Sequence, residues 1–235
     1  MSIQRMREWV KSHRILIGVL FGLLVLSLLL TYSIGNLGRS SAGSDEVDYS
    51  AFEESIANQR AEQEANPDDY ATNYNLANSL YEYANQLYQS ENEEDYQKGM
   101  DALAEAAPLY VRAAENAGED VNDLAKAQMY TRAAQCYASV DESAQAEEYY
   151  LLALDLAPDD LDTVIAYAQY LAYAARYDES INLLNELSAT IDDEATKSSV
   201  DSLIQQLETL RDSAESTDEQ ETQEESSTET TESEQ

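Results

Sequence analysis

Glycine and proline are scarce in this chain, which has 7 and 3 of them among 235 residues. Sheets joined by tight turns need more of both, so the shortage favours an all-α fold. Phe and Trp are also rare, at 2 and 1, whereas Tyr occurs 17 times. Because tyrosine hydroxyls need hydrogen-bonding partners, we expect many of these rings to be half buried.

Cysteine and histidine occur once each, as Cys136 and His13. A lone cysteine excludes an intramolecular disulfide and a cysteine-based metal site, and leaves either a buried thiol or an intermolecular link. A lone histidine excludes a metal site built from several histidines, and its place beside the basic N-terminal residues makes a Ser-His-Asp triad unexpected. The sequence also lacks a glycine-rich phosphate loop, a nucleophile elbow and an EF-hand-type calcium loop. We therefore expect no enzyme activity, no catalytic residue, no cofactor and no metal.

Positive charge is scarce and concentrated at the N-terminus. The first 14 residues hold four of the 13 basic residues and one of the 47 acidic ones, while the whole chain carries a net charge of -34. Phosphate backbones are repelled by such a surface, so nucleic-acid binding is not expected. Basic or polar protein partners are compatible with it. The alternative is that the acidic residues only keep the domain soluble.

One long apolar run interrupts the polar composition. Residues 15–34 contain no charged side chain and, as a helix, would span ~30 Å, the hydrocarbon thickness of a bilayer. The basic residues before the run place the N-terminus in the cytoplasm and the chain from about residue 40 onward outside. We therefore predict a single-pass cell-membrane protein. A signal peptide cleaved near Ser40–Ala42 is the alternative, although the apolar core is longer than the ~7–15 residues usual there.

Gly18 and Gly22 form a GxxxG pair inside this run. Small residues four apart allow two membrane helices to approach closely, so the pair is a candidate dimerisation motif for a homodimer.

Composition and periodicity divide the chain into segments. We predict a cytoplasmic basic segment (1–14), a transmembrane helix (15–34), a linker (35–45), a leading helix (46–66), a repeat region (67–194), a capping helix (195–212) and a disordered acidic tail (213–235). The tail has no apolar side chain larger than alanine whose burial could offset the entropy lost on ordering. It either keeps the domain solvated or contacts a basic partner.

An internal repeat is marked by two Pro-Asp-Asp sequences, at 67–69 and 158–160, whose acidic residues suit the capping of following helices. Three segments aligned on these signals carry a small residue at the same place, namely Ala77, Ala134 and Ala168. The second and third units are 34 residues apart. The predicted units cover 67–126, 127–160 and 161–194.

This pattern resembles the tetratricopeptide repeat (TPR) family. The resemblance rests on residues at matching places of the three units: Leu76, Ala77, Leu80, Ala106, Tyr110 and Ala113; Ala133, Ala134, Tyr137, Ala146, Tyr150, Ala153 and Pro158; Tyr167, Ala168, Leu171, Tyr177, Ser180, Leu184 and Leu187. The third unit departs from the pattern at Ser180, where alanine is usual. The first unit contains about 17 extra residues, which either lengthen its helices or form a projecting loop.

The resemblance implies a right-handed stack of about three helix pairs, whose first helices line a concave groove. The implied peptide-binding residues are Tyr74, Asn78, Tyr81, Gln128, Thr131, Gln135, Ile165 and Gln169. Amides can bond an extended peptide backbone, and tyrosines supply amphipathic contact area. The alternative is that these side chains are only a polar helix surface.

We therefore expect a membrane-anchored scaffold that binds polypeptides outside a bacterial cytoplasmic membrane, in secretion or envelope assembly. The alternative is a structural spacer or self-assembling membrane protein without a peptide site.

Overall fold

The computed structural model describes residues 48–90 and 92–232. The predicted membrane run, its Gly18–Gly22 pair and the linker lie outside these ranges. Within them, no helix has both the length and the apolar composition that crossing a bilayer requires.

Across the described residues the fold is all-α, as predicted, with eight helices and no strand. The helices are α1 (Ser50–Ala65), α2 (Tyr70–Leu87), α3 (Glu93–Asn116), α4 (Asp123–Ser139), α5 (Ser143–Leu156), α6 (Leu161–Tyr173), α7 (Tyr177–Thr190) and α8 (Glu194–Glu232).

Side-chain caps fix where five of the helices begin, namely α2, α3, α4, α6 and α8. The carboxylates of Asp69 and Asp160 accept the backbone N–H of Thr72 and Thr163 at 2.8 and 3.1 Å, and Asn122 caps α4 in the same way. Each cap satisfies a backbone donor that has no partner inside its helix. The capping role predicted for the two Pro-Asp-Asp sequences is therefore confirmed.

The helices pack as successive hairpins. Helix α2 packs on α3, α4 on α5 and α6 on α7; α3 also contacts α4, and α5 contacts α6, so each hairpin rests on the next. Helix α1 covers α2 at one end, and α8 covers α7 at the other. This is a helical-repeat arrangement, in which every hairpin buries its apolar face against its neighbours.

The second and third hairpins share one register of 34 residues. Ala134 and Ala168 occupy equivalent places and have no exposed surface, and so do Ala146 and Ser180. Asp141 and Ala175, also equivalent, both have positive φ, of 65° and 60°. The hydroxyl of Ser180 donates to the Ala168 carbonyl at 2.7 Å, which accounts for a serine where the repeat pattern usually has alanine. A buried hydroxyl is thus satisfied across the hairpin.

The extra residues of the first hairpin lengthen a helix. Helix α3 has 24 residues, compared with 14 in α5 and in α7, and the segment joining α2 to α3 is short. The long helix passes close to Tyr88. A Cβ at Gly99 would lie 2.7 Å from the Tyr88 ring, so this approach requires glycine.

Among the described residues many tyrosines are half buried as expected, but five lie in the core: Tyr83, Tyr110, Tyr150, Tyr167 and Tyr170. Four of these have hydroxyls that donate to nearby acceptors, as the Tyr83 hydroxyl does to Glu53 at 2.8 Å and that of Tyr170 to the Ser143 carbonyl at 2.9 Å. Cys136 is buried as well, which bears out one of the two alternatives for it. Burial raises the pKa of its thiol to about 12, so it stays protonated at neutral pH.

Helix α8 caps the stack with Val200, Ile204 and Leu207, which pack against α6 and α7. Leu210 is 47% exposed and lies beyond this contact. The helix then continues to Glu232, whereas we expected a disordered tail from residue 213. The tail contains no glycine or proline to end a helix and is rich in glutamate and glutamine, which have good helix propensity.

Candidate functional site

The predicted groove residues come from α2, α4 and α6, and two contacts join these helices. The Arg132 guanidinium lies 4.8 Å from the centroid of the Tyr81 ring, linking α4 to α2. The hydroxyls of Thr131 and Thr163 are 2.8 Å apart, linking α4 to α6. The first helices of the three hairpins are therefore neighbours. We call their shared surface the first-helix face; it comprises Tyr74, Asn78, Tyr81, Gln128, Arg132, Gln135, Ile165 and Gln169.

On α2 the face is a row of side chains at helical spacing. The Tyr74 ring stacks on the Tyr70 ring, with centroids 5.9 Å apart, and packs edge to face with the Tyr110 ring, with centroids 6.3 Å apart. The Tyr110 hydroxyl donates to Asn78 Oδ1 at 2.7 Å. Tyr110 is almost fully buried, and this burial raises its pKa. The Asn78 oxygen therefore already accepts from a core hydroxyl, and its amide nitrogen can donate to a partner.

Arg132 is the functional candidate that the groove prediction left out. Its Nη1 donates to Gln135 Oε1 at 3.3 Å while the guanidinium covers Tyr81. The signal was present in the sequence, because Arg132 precedes Gln135 by three residues and so lies on the same helix face.

The surroundings of Arg132 keep its guanidinium charged. Desolvation acts to lower its pKa, but interactions with Tyr81 and Tyr110 outweigh this and raise the pKa overall. Among the described residues, Arg60, Arg176 and Arg211 bind carboxylates, and no such ion pair forms at Arg132. Its remaining N–H donors are thus suited to an acceptor from outside the chain.

Thr131, which we predicted to line the groove, does not lie on the first-helix face. It is only 6% exposed, and its hydroxyl faces Thr163. The Thr163 hydroxyl lies 2.6 Å from the Asp160 carboxylate. The Thr131 hydroxyl also donates to the Ala127 carbonyl oxygen at 3.0 Å, while the Thr163 hydroxyl donates to Asp160. Thr131 therefore ties α4 to the cap of α6 rather than contacting a partner.

The α6 part of the face is more apolar. Ile165 and Gln169 are half buried, and Ile165 packs against the core shared by α6, α7 and α8. Gln128, on α4, is exposed. Seven of the eight predicted residues therefore keep some accessible surface on the three first helices.

The groups on this face are phenols, amides, one branched alkyl chain and one guanidinium. They can donate, accept and stack. No cluster of three or more potential metal ligands forms among the described residues. The arrangement is therefore suited to recognition by contact.

Sequence comparison adds no family assignment, since no protein-family model matches the chain and no curated protein shows significant similarity to it. The structure on its own defines an all-α protein with a helical-repeat arrangement.

Proposed function

We propose that this protein is a membrane-anchored TPR-type scaffold, a right-handed stack that binds polypeptide partners along its first-helix face. The anchor in this proposal is the apolar run at 15–34, with the N-terminus in the cytoplasm and the stack outside. The working location is the outer face of a bacterial cytoplasmic membrane, where the scaffold serves secretion or envelope assembly.

The observation that carries the proposal is the chemistry of the first-helix face. Charged residues make up 26% of the chain, and of the eight residues that define this face only Arg132 is charged, although the exposed Asp162 adjoins them at the place equivalent to Gln128. Its tyrosines and amides are mostly half buried, so they retain surface that a partner can cover. Tyrosine and arginine are the residue types that carry much of the binding energy in protein interfaces.

The layout of the face favours an extended polypeptide as ligand. Its side chains follow three neighbouring helices, and Gln128, Gln135 and Gln169 offer both donors and acceptors to a peptide backbone. Arg132, held against Tyr81, adds a positioned donor among them. Flat phenol rings add contact area at a low cost in side-chain entropy.

The test is photo-crosslinking in membranes, with a photoreactive residue at Tyr74, Tyr81 or Gln135 of the full chain. We expect a discrete crosslinked polypeptide at these sites. Matched control sites lie on the second helices of the hairpins, at the exposed residues Glu148 and Asn182. They should give no such product.

Two results would count against the proposal. Equal crosslinking at the control sites would mean that the first-helix face is not selective. Crosslinks to the same chain only would favour the structural spacer, and mutation of Gly18 and Gly22 would then test whether the predicted membrane helix pairs the chains.

A further inference from the structure

A second surface lies where the start of α4 meets the turn between α5 and α6. A shallow depression of about 380 Å³ is lined there by Leu124, Ala157, Pro158, Asp159, Asp160 and Leu161. Leu124 is 44% exposed, and Pro158 is exposed beside it. Leu124, Ala157, Pro158 and Leu161 give the depression a small apolar lining.

The edge of this depression is acidic. Asp159 and Asp160 line it, Asp123 and Asp162 are next to the lining residues Leu124 and Leu161 in sequence, and Lys126 is the basic residue nearest to them in sequence. Asp160 is engaged in capping α6. No ion pair involving the other three forms among the described residues.

The helix termini do not cancel this charge. Helices α4 and α6 both begin here, and each N-terminus contributes roughly half a positive charge. Four carboxylates, those of Asp123, Asp159, Asp160 and Asp162, therefore leave a negative excess beside the apolar lining. The net charge of -34 adds a long-range field of the same sign, which attracts a cationic partner to the surface.

We propose that this depression docks a basic amphipathic segment of a partner polypeptide. A lysine or arginine stem lies along Leu124, Pro158 and Leu161, and its cation faces Asp159 and its acidic neighbours. Lys and Arg side chains combine an apolar stem with a charged end, which is the pairing that this surface offers. The docking surface shares no residue with the first-helix face but adjoins it, since Leu124 lies one helical turn before Gln128 and Leu161 one turn before Ile165.

The first part of the test uses a fluorescent synthetic peptide of lysine and leucine, with the full chain held in a neutral detergent. We expect saturable binding that weakens steeply as salt rises. Two further peptides control for chemistry, one with glutamate in place of lysine and one with glycine in place of leucine. Neither should bind, because the first lacks the cation and the second lacks the apolar part.

Matched variants locate the site. Asp159→Asn should weaken binding about fivefold and flatten its salt dependence, since it removes one charge at the edge. Leu124→Ser should weaken it by a similar factor with the salt dependence unchanged. The controls make the same chemical changes on exposed residues of α5, as Asp155→Asn and Leu151→Ser. They should leave binding intact, and helical circular dichroism checks that every variant is folded.

Equal losses in the Asp155 and Asp159 variants would overturn the proposal, because binding would then follow total charge alone. An unchanged affinity in Leu124→Ser would overturn it too. Tyr81→Ala distinguishes this site from the first-helix face. It should leave peptide binding unchanged whether or not crosslinking at that face succeeds.

Discussion

The second and third hairpins place their residues alike but fill their interiors differently. In α5, Tyr150 is buried beside Ala153; at the equivalent places of α7, Leu184 and Leu187 are buried. The small residues at 134 and 168 are alanines in both. The close approach of two helices therefore fixes the small positions, whereas the larger volume between them can be filled by a ring or by branched chains.

The two hairpins also differ in how they contact their neighbours. Tyr150 lies against Tyr167 and Tyr170, with ring centroids 5.2 and 5.4 Å away, so it joins α5 to the following hairpin. Leu184 packs in the cluster that α7 forms with α8. Tyr150 thus stabilises the contact between two hairpins inside the stack, whereas the equivalent Leu184 stabilises the end of the stack.

The largest effect should come from Tyr150→Ala. Removing a ring that is 2% exposed should cost about 3–5 kcal/mol of unfolding free energy, because a cavity opens between two hairpins. Leu184→Ala should cost about 2–5 kcal/mol. Urea unfolding followed by circular dichroism measures both losses.

Hydrogen exchange then distinguishes the two positions. In a stack with nearest-neighbour coupling, a defect at an interior joint loosens both flanking units, whereas one near the end loosens the end. Tyr150→Ala should speed exchange in α4 through α7, and Leu184→Ala in α6 through α8 only. The same pattern in both variants would mean that the stack unfolds as one unit.

Much of this fold was predictable because its signals are local. Scarce glycine and proline indicated helices, and the capping residues Asp69 and Asp160 marked where two of them begin. The 34-residue spacing matched Ala134 with Ala168. The course of α8 beyond residue 212 was not predicted, since absence of apolar residues argues against packing but does not itself end a helix.

The candidate site was less predictable. Seven of the eight predicted groove residues have accessible surface, whereas their role in binding stays a prediction. The prediction fails at Thr131, which is buried and hydrogen-bonded to Thr163. That contact depends on how α4 and α6 pack. The oxygen of Asn78 accepts a hydrogen bond from Tyr110, which likewise depends on how two helices pack. Both contacts join residues far apart in sequence, which helix periodicity does not reveal.

A smaller effect should come from the two turn residues with positive φ. L-residues other than Asn and Asp pay roughly 1–2 kcal/mol in this region, whereas glycine does not, although it loses more entropy on folding. Ala175→Gly should therefore raise the unfolding free energy by about 0.5–1 kcal/mol. Asp141→Gly should gain less, since aspartate tolerates this conformation better. Thermal unfolding measures both, and an equal gain would show that side-chain identity does not matter at these turns.

The smallest effect should come from an ion-pair network that the third hairpin has at its turn. Arg176 binds Glu147 of α5 at 2.6 Å and Glu179 of α7 at 2.6 Å, whereas the equivalent place in the second hairpin is Glu142. These groups face solvent, so Arg176→Ala should cost only a few tenths to about 1 kcal/mol at neutral pH.

The pH dependence of that loss identifies its origin. The hydrogen bond from Arg176 lowers the pKa of Glu179 from its ordinary value of 4.5. A carboxyl whose pKa is lower in the folded than in the unfolded state stabilises the fold at pH above its unfolded-state pKa. This contribution disappears as pH falls through its folded-state pKa. The stability difference between the natural chain and Arg176→Ala should therefore be full at pH 7 and shrink below about pH 4. Glu179→Gln keeps the Glu147 contact and removes this carboxyl, so in its background the Arg176 effect should be smaller and less dependent on pH. A loss that stays constant from pH 7 to pH 3 would instead assign the role of Arg176 to packing of its stem.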